Sequence, residues 1–265
     1  MSVVEKHAPG SFCWVELGTT NASAAKTFYN ALFGWQSQDM PMGPDQFYTM
    51  LDLGGKTVGA LYNLDKNMQQ MGIPPHWMLY IAVGNADEAS ARAKALGATV
   101  MKEPFDVFDA GRMAVIRDPA GATFCIWQAK MNPGIQLAGE ANTLCWSELW
   151  TSDKAQAIEF YTKLFGWTMK TSPGAAGEYT EISNQGQPIG GMMQIMREWG
   201  NVPPNWSPYF MVTNCDASAA KVNQLGGSTK MAPMDIPKVG RFAILADPQG
   251  AAFQIIQMAQ MAARE

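Results

Sequence analysis

Histidine and cysteine are scarce in this sequence, with two and four residues respectively among 265. The histidines, His7 and His76, are far apart, and the cysteines at 13, 125, 145 and 215 never take the C-x-x-C spacing of a zinc or redox motif. A chain of this length needs no disulfides for its stability. We therefore expect reduced thiols, as in a cytoplasmic protein, and few ligands for a transition metal.

Charged residues are also sparse, because Asp, Glu, Lys and Arg make up 16% of the chain and the formal net charge is −4. The pI near 5.3 and the lack of any Lys/Arg cluster argue against a nucleic-acid partner. No run reaches the roughly 18 apolar residues of a membrane span. The first residues, "MSVVEKHAPGSF", contain no apolar signal-peptide core. We predict a cytoplasmic protein that contacts no membrane.

The sequence contains one long internal repeat. The stretch "CWVELGTTNASAAKTFYNALFGW", which starts at Cys13, returns at Cys145 as "CWSELWTSDKAQAIEFYTKLFGW". The similarity continues in "PPHWMLYIAV" (74–83) and "PPNWSPYFMV" (203–212), and ends in "GRMAVIRDPAGATF" (111–124) and "GRFAILADPQGAAF" (240–253). Two copies with so long a period indicate a duplicated domain. We predict domains at 8–128 and 143–258, joined by a linker at 129–142.

Each copy has the pattern of two strand–helix units. "SFCWVEL" alternates like a strand, Asn21 and Asp153 suit helix N-caps, and Gly34 and Gly166 suit C-caps. Short strands follow, then "WMLYIAV", the helix "ADEASARAKAL" and two strands around a D-P-x-G turn. The predicted fold class is α+β, with a βαβββ unit written twice in each domain. In "GGMM" (190–193), glycines inside a strand indicate a close backbone approach.

The order of these motifs, present twice, resembles the glyoxalase / bleomycin-resistance / extradiol-dioxygenase family, the vicinal oxygen chelate superfamily. The resemblance covers nearly the whole chain. It implies that pairs of units form a half-open curved sheet around a cavity, in which many members of the family hold a divalent metal.

The resemblance also implies positions for three metal ligands in each domain. They are a His fourteen residues before the Phe of the F-Y pair, a residue at the start of the fifth strand, and a Glu seven residues after the Asp of D-P-x-G. In this sequence these positions hold Trp14, Met78 and Cys125 in one copy, and Trp146, Ser207 and Gln254 in the other. Metal sites of this family use imidazole and carboxylate ligands. We therefore predict no metal and no other cofactor, with a divalent metal as the alternative.

Strand alternation predicts which other side chains share the cavity face. Glu16 joins Trp14 there, and Glu148 joins Trp146. The predicted ligand-binding set is Trp14, His76, Met78, Tyr80, Cys125, Trp127, Trp146, Ser207, Tyr209 and Gln254. Cys13 and Cys145 have the opposite parity, which indicates core positions.

Two of these residue types allow a catalytic and a structural interpretation. Glu16 or Glu148 is a candidate general base, with a pKa raised by its tryptophan neighbour. Alternatively, each carboxyl has an internal hydrogen bond or an ion pair with Arg112 or Arg241. Cys125 is a candidate nucleophile with His76 as its base, or a small buried filler.

Three hypotheses about function follow from these features. In the first, the tryptophan-lined cavities bind an aromatic or apolar small molecule without a metal. In the second, the chain is a lyase or isomerase of glyoxalase type, or a dioxygenase-like enzyme, and Glu16 or Glu148 abstracts a proton. In the third, one copy is only a scaffold for the other. The expected partner is a small molecule, and the chain is expected to be a monomer or a homodimer.

Overall fold

The computed structural model describes residues 3–44, 46–174 and 177–259, which form two eight-stranded sheets. The first sheet contains β1 (Phe12–Thr19), β2 (Gln36–Gly43), β3 (Gln46–Leu53), β4 (Lys56–Asn63), β5 (His76–Ala82), β6 (Thr99–Val107), β7 (Gly111–Arg117) and β8 (Thr123–Ala129). The second contains β9 (Leu144–Thr151), β10 (Thr168–Gly174), β11 (Gly177–Asn184), β12 (Gln187–Gln194), β13 (Asn205–Met211), β14 (Ser228–Ile236), β15 (Gly240–Ala246) and β16 (Ala252–Met258). The helices are α1 (Ala22–Phe33), α2 (Lys66–Gln70), α3 (Ala86–Ala95), α4 (Lys154–Phe165) and α5 (Cys215–Gln224), with one 3₁₀ turn at Arg197–Trp199.

Consecutive βαβββ units share one sheet. The strand order is β2-β3-β4-β1-β5-β8-β7-β6 in the first sheet, and the second repeats it as β10-β11-β12-β9-β13-β16-β15-β14. β1 is parallel to β4 and antiparallel to β5, so the two units of a domain meet at the β1–β5 pair. The predicted α+β fold of two tandem domains with four such units is confirmed, and the first strand of each unit lies at the centre of its sheet.

The first helix of each domain begins and ends where the sequence predicts. The Asn21 side chain accepts a hydrogen bond from the backbone N–H of Ala24 at the start of α1, and Gly34 ends the helix with φ 73°. Asp153 and Gly166 have the same roles in α4, where Gly166 also has φ 73°. A left-handed C-cap is favourable for glycine because it has no Cβ. No helix among the described residues is long and apolar enough to cross a bilayer.

The two domains pack through their helices. In α1, Phe33 lies 5.2 Å from Phe210 of the second sheet, and Tyr29 lies 5.2 Å from Trp77 of the first, both measured between ring centroids. The Tyr29 hydroxyl donates to Asp247 at 3.1 Å, and in the mirrored contact the Tyr161 hydroxyl donates to Asp118 at 2.9 Å. Helices α1 and α4 therefore lie at the interface, where the central strands β5 and β13 also meet directly through Trp77 and Phe210, 5.2 Å apart between ring centroids. Because side chains alternate along a strand, the opposite faces of the sheets point away from this interface.

The segment between β8 and β9 is bound to both domains, and its first part to the first domain. The backbone N–H of Ile135 donates to the carbonyl of Cys13 in β1, and that of Gln136 donates to Thr57 in β4. Ile135 and Leu137 are buried, and His7 hydrogen-bonds the Ile135 carbonyl at 2.9 Å. The region predicted as a linker thus contributes side chains to the core.

Candidate functional site

The face of the first sheet that points away from the domain interface carries a group of aromatic and polar side chains, which we call the first trough. Its floor is nearly buried and consists of Trp14, Glu16, Tyr80, Cys125 and Trp127. Its walls are half-buried and consist of Tyr48, Tyr62, His76, Met78 and Met113. Strand alternation places all of these side chains on one face, because in the pairing register Trp14 lies opposite Tyr80, and Tyr80 lies opposite Cys125.

Glu16 is the centre of the hydrogen bonds in the first trough. The Tyr80 hydroxyl donates to its Oε1 at 2.5 Å, and the Tyr48 hydroxyl donates to its Oε2 at 2.6 Å. The indole N–H of Trp14 in turn donates to the Tyr48 hydroxyl at 3.0 Å. Both carboxyl oxygens are therefore held by phenolic donors.

The environment of Glu16 changes its protonation. Burial raises the pKa of this carboxyl, and the hydrogen bonds from Tyr48 and Tyr80 and the nearby His76 only partly oppose the effect. Burial, together with the negative charge of Glu16, raises the pKa of both tyrosines well above the usual range. The tyrosines therefore keep their protons, and Glu16 is the group of the cluster that gains or loses one.

The alternative in which an arginine pairs with each glutamate is wrong. Arg112 donates to Asp87 at 2.8 Å, and Arg241 donates to Asp216 at 2.7 Å. Arg112 lies opposite Gln128 in the β7–β8 register, on the face that carries the helices, whereas the trough residue Met113 lies opposite Trp127. Parity along the strand thus directs both guanidinium groups away from the troughs. The internal hydrogen bond, the other structural alternative, is present at Glu16 and at Glu148.

The surroundings of the cysteines favour a structural role over a catalytic one. Burial raises the pKa of Cys125 well above its usual value, and the charge of Glu16 adds to the effect. A neutral thiol is a poor nucleophile, and the candidate base His76 instead hydrogen-bonds the Pro74 carbonyl through Nδ1 at 2.8 Å. Cys13 is fully buried on the helix side and Cys145 is half-buried. All four cysteines are free thiols.

The second sheet has an equivalent face, the second trough. Its central carboxyl, Glu148, accepts hydrogen bonds on Oε1 from the Tyr209 hydroxyl at 3.0 Å and from the Trp150 indole at 2.7 Å. Burial raises the pKa of this carboxyl, and the donors Trp150, Tyr209 and Tyr179 oppose the effect. Trp146 donates to the Tyr179 hydroxyl at 2.8 Å, as Trp14 does to Tyr48. The cluster of the first trough is thus repeated with one difference: the Trp150 indole, and not the tyrosine of the third strand, is the second donor to the carboxyl.

Two further residues distinguish the second trough. Gln254 is fully buried, and its Oε1 accepts a hydrogen bond from the Ser207 hydroxyl at 2.8 Å. Its Nε2 has no hydrogen-bond partner among the described residues. In the first trough the position equivalent to Gln254 is Cys125, and the position equivalent to Ser207 is Met78. The first trough therefore has no amide donor at this place.

The glycines predicted to allow a close approach do so. A Cβ on Gly190 would lie 2.4 Å from the backbone oxygen of Ser147, and a Cβ on Gly191 would lie 1.8 Å from the Tyr179 hydroxyl. Gly191 lies opposite Glu148 in the β9–β12 register, where the first domain has Ala60 opposite Glu16. The glycine therefore makes room for the Tyr179 ring beside the carboxyl.

The residues at the family's metal positions do not fit a metal. The Trp14 indole nitrogen carries a hydrogen and donates it to Tyr48, the Cys125 thiol is held neutral by burial, and Met78 supplies only a weak thioether. In the second trough, the Gln254 oxygen is already bonded to Ser207. Among the residues that the structure describes, no three His, Cys, Asp or Glu side chains are grouped so as to hold a metal ion.

Several trough residues are missing from the sequence-based prediction. They are Tyr48, Tyr62, Met113, Trp150, Tyr179 and Phe242. A usable signal existed for two of them, because "FYTML" and "EYTEI" place Tyr48 and Tyr179 at equivalent positions of the third strand of each domain. Trp150 lies two residues after Glu148, so the alternation that selected Glu148 also selects it.

Two family descriptions match the chain. Residues 14–127 match the family described as "Glyoxalase-like domain". Residues 143–255 match the "Glyoxalase/Bleomycin resistance protein/Dioxygenase superfamily". The two matches together include β2 to β7 and β9 to β15 in full, and they contain the residues of both troughs.

Relatives and solved structures extend this similarity to nearly the whole chain. "Putative glyoxylase CFP32" of Mycobacterium tuberculosis is 40% identical over 256 residues, 96% of this chain and 97% of that protein. "Anthracycline biosynthesis protein DnrV" of Streptomyces peucetius is 33% identical over 264 residues, 96% of this chain and 95% of that protein. A crystal structure of the Mn(II)-bound glyoxalase from Novosphingobium aromaticivorans has a TM-score of 0.65 at 15% identity, covering 94% of this chain and 82% of its own, and supports the fold alone.

Proposed function

Because this chain belongs to the glyoxalase/bleomycin resistance protein/dioxygenase superfamily, we propose that it binds an aromatic or otherwise apolar small molecule in its troughs and needs no catalytic metal. The protein acts in this proposal as a cytoplasmic monomer or homodimer without a nucleic-acid or membrane partner. One observation carries the proposal. The positions of the family's metal ligands hold an indole and other side chains that are poor metal ligands, whereas the strands that carry them are paired as in the family's fold.

The composition of the troughs supports a carbon-rich ligand. Indole, phenol and thioether groups make up most of the half-buried walls, and each trough has one buried carboxyl as its polar centre. Sites for small molecules combine apolar walls with a few convergent polar groups in this way. The name of the Streptomyces peucetius relative associates that protein with anthracycline biosynthesis. This agrees with a flat, aromatic ligand for the present chain.

The proposal is tested by binding and metal measurements on the purified protein. We expect 1-naphthol to quench tryptophan fluorescence saturably, at one or two molecules per chain, in protein without stoichiometric divalent metal. The variants Trp14→Phe and Trp146→Phe report on the first and second trough separately, because each removes one indole wall. Stoichiometric metal, together with EDTA-sensitive turnover of the hemithioacetal of methylglyoxal and glutathione, would contradict the proposal.

A second candidate function is proton transfer by Glu16, and it is favoured by the raised pKa of this buried carboxyl. In a lyase or isomerase of this kind, the Glu16 carboxylate takes a proton from a carbon next to a carbonyl group. The Tyr80 hydroxyl, 2.5 Å from the carboxyl, is placed to hydrogen-bond the resulting enolate oxygen. Return of the proton to a neighbouring carbon completes an isomerisation. Glu148 and Tyr209 offer the same pair of groups in the second trough.

Solvent deuterium exchange distinguishes proton transfer from binding alone. A bound ketone with an acidic α-hydrogen, such as 1-indanone, should incorporate deuterium in the presence of the wild-type protein if Glu16 is a base. The variant Glu16→Gln should then abolish the exchange and retain binding, and Glu148→Gln reports on the second trough. Binding without exchange above the rate in buffer rejects the enzyme and retains the binding protein.

A further inference from the structure

The amide of Gln254 has a hydrogen-bond donor without an acceptor in the part of the chain that the structure describes. The side chain is fully buried, and the Ser207 hydroxyl fixes its carbonyl oxygen at 2.8 Å. No acceptor among the described residues lies within hydrogen-bonding distance of Nε2. Because an unpaired buried N–H is costly, such groups in folded proteins are nearly always satisfied. We therefore look for the acceptor outside the described residues, in water or in a ligand.

The surroundings of this donor are aromatic. Gln254 lies between Tyr209 and Ile244 in the register of the second sheet, and the Tyr209 ring lies 6.3 Å from the Phe242 ring. Trp146, Trp150 and Phe242 are half-buried and lie on the same face of the sheet as Gln254. An acceptor that reaches Nε2 would consequently belong to a molecule packed against flat rings.

The same surroundings disfavour an anion. Ser207, the partner of Gln254, lies directly opposite Glu148 in the β9–β13 register. Burial raises the pKa of the Glu148 carboxyl because a negative charge is costly at this depth, and a carboxylate or phosphate ligand would meet the same cost. A carbonyl oxygen accepts from an amide N–H without bringing a charge.

We propose that the second trough is a site for a neutral aromatic carbonyl compound, whose oxygen accepts a hydrogen bond from Nε2 of Gln254. The first trough has a thiol, Cys125, at the equivalent position and so lacks this selectivity. The two domains therefore prefer different ligands. This inference rests on the proposed binding of small molecules in the troughs, and it adds the chemical class for one of them.

The test compares three probes that differ at one carbon: 1-indanone, which has a carbonyl group, 1-indanol, which has a hydroxyl, and indane, which has neither. The wild-type protein should bind 1-indanone about tenfold more tightly than indane, the ratio expected for one buried hydrogen bond. The nearly isosteric variant Gln254→Met should bind 1-indanone and indane equally. Gln224→Met, the same amide-to-thioether change at an exposed position of α5, should leave the preference unchanged.

A second measurement does not depend on the folding of a variant. In the ¹⁵N-labelled wild-type protein, 1-indanone should shift one glutamine side-chain NH₂ resonance, and indane should leave it in place. Gln254→Leu or Gln254→Met identifies that resonance by its disappearance. The same resonance should stay in place when 1-indanone is added to protein whose trough is blocked by a larger aromatic competitor.

The outcomes separate this inference from the proposed function. Equal affinity for 1-indanone and indane, with no shift of the Gln254 resonance, means that water satisfies the amide; the inference is then wrong and small-molecule binding stands. Preference for 1-indanol, or a preference for 1-indanone that survives Gln254→Met, also overturns the inference. If neither 1-naphthol nor any of the three probes binds, both proposals are wrong.

Discussion

At the level of single residues, the two buried glutamates are the most consequential feature of the molecule. Each lies on the floor of a trough, and each accepts hydrogen bonds from neutral donors and from no cation among the described residues. Burial of a carboxyl without a counter-charge favours the protonated form. Each carboxyl can therefore hold a proton at a pH where an exposed glutamate is ionised.

The first prediction is a pH-dependent contribution of Glu16 to stability. Its folded-state pKa is raised above the ordinary value for a glutamate, so the folded protein binds more protons than the unfolded chain between the two pKa values. The stabilisation by Glu16 is thus fully present below about pH 4.3 and is lost as the pH rises through the folded-state pKa. We expect the free energy of unfolding of wild type, relative to Glu16→Gln, to fall as the pH rises above about 4.3, by about 1.4 kcal/mol for each unit of pKa shift.

Urea denaturation of both proteins at several pH values measures this difference. The amide substitution also changes the hydrogen bonds with Tyr48 and Tyr80, but that change is independent of pH and shifts the whole curve equally. A difference between the two proteins that is constant over the range, or that grows with pH, would show that the carboxyl is not held in its protonated form.

The second prediction concerns the cost of the unpaired amide. Replacing Ser207 and Gln254 together by Ala and Met removes a hydrogen-bonded pair and the donor that has no acceptor in the described chain. An unsatisfied buried polar group costs about 1–3 kcal/mol, and a pair replaced by apolar groups is nearly neutral. We expect the double variant to be more stable than wild type by about 1 kcal/mol in the absence of ligand. Thermal unfolding checks this, and Ser207→Ala alone, which frees the amide further, should be destabilising.

At the level of helices and strands, the glycine pair of β12 gives a matched experiment. A Cβ on Gly190 would lie 2.4 Å from a backbone oxygen of the central strand β9, which cannot move without breaking the sheet. A Cβ on Gly191 would meet the Tyr179 hydroxyl, which is the end of a side chain and can turn away. The first domain shows a solution, because it has Ala60 at the equivalent position and its Tyr48 bonds Glu16 at 2.6 Å.

The third prediction follows from this contrast. Gly190→Ala should destabilise the protein by about 2 kcal/mol or more, as overpacking against fixed backbone does. Gly191→Ala should cost less and should move the Tyr179 hydroxyl towards Glu148. Equilibrium denaturation gives the two stabilities, and a crystal structure of Gly191→Ala gives the position of the hydroxyl. Equal losses in both variants would mean that Tyr179 is as immobile as the backbone.

The same helices and strands show which features can be predicted from the sequence and which cannot. Helix caps depend on neighbouring residues, so Asn21, Gly34 and their equivalents are predictable from a few letters. The contact of Tyr48 with Glu16 joins residues 32 positions apart and depends on the pairing of three strands. The predicted ion pair between Arg112 and Glu16 is wrong because Arg112 pairs with Asp87 of α3 instead. Strand alternation counted from Cys125, which lies opposite Val115, would have placed Arg112 on the helix side.

At the level of the whole molecule, duplication has made one body of two domains. The Asp of each D-P-x-G turn accepts backbone N–H groups of its own turn and the hydroxyl of a tyrosine from the other domain. Sequence similarity predicted the turn, but its role in the interface was not predictable, because the partner tyrosine lies far away along the chain. The troughs consequently open on the outside of the molecule, and each can be altered without touching the other.

The fourth prediction tests this coupling between domains. The Tyr161 hydroxyl accepts from the Trp206 indole at 2.8 Å and donates to Asp118 at 2.9 Å, and all three side chains are buried. Tyr161→Phe leaves the Trp206 N–H without its acceptor and Asp118 with one donor fewer, which should cost about 1–3 kcal/mol. Tyr29→Phe breaks the mirrored contact with Trp77 and Asp247 and should cost a similar amount.

Calorimetry should show one transition for wild type and for each single variant. If the two contacts hold the domains together, the double variant should unfold in two transitions. A single transition that persists in the double variant would assign the coupling to the aromatic packing of Phe33 against Phe210 instead.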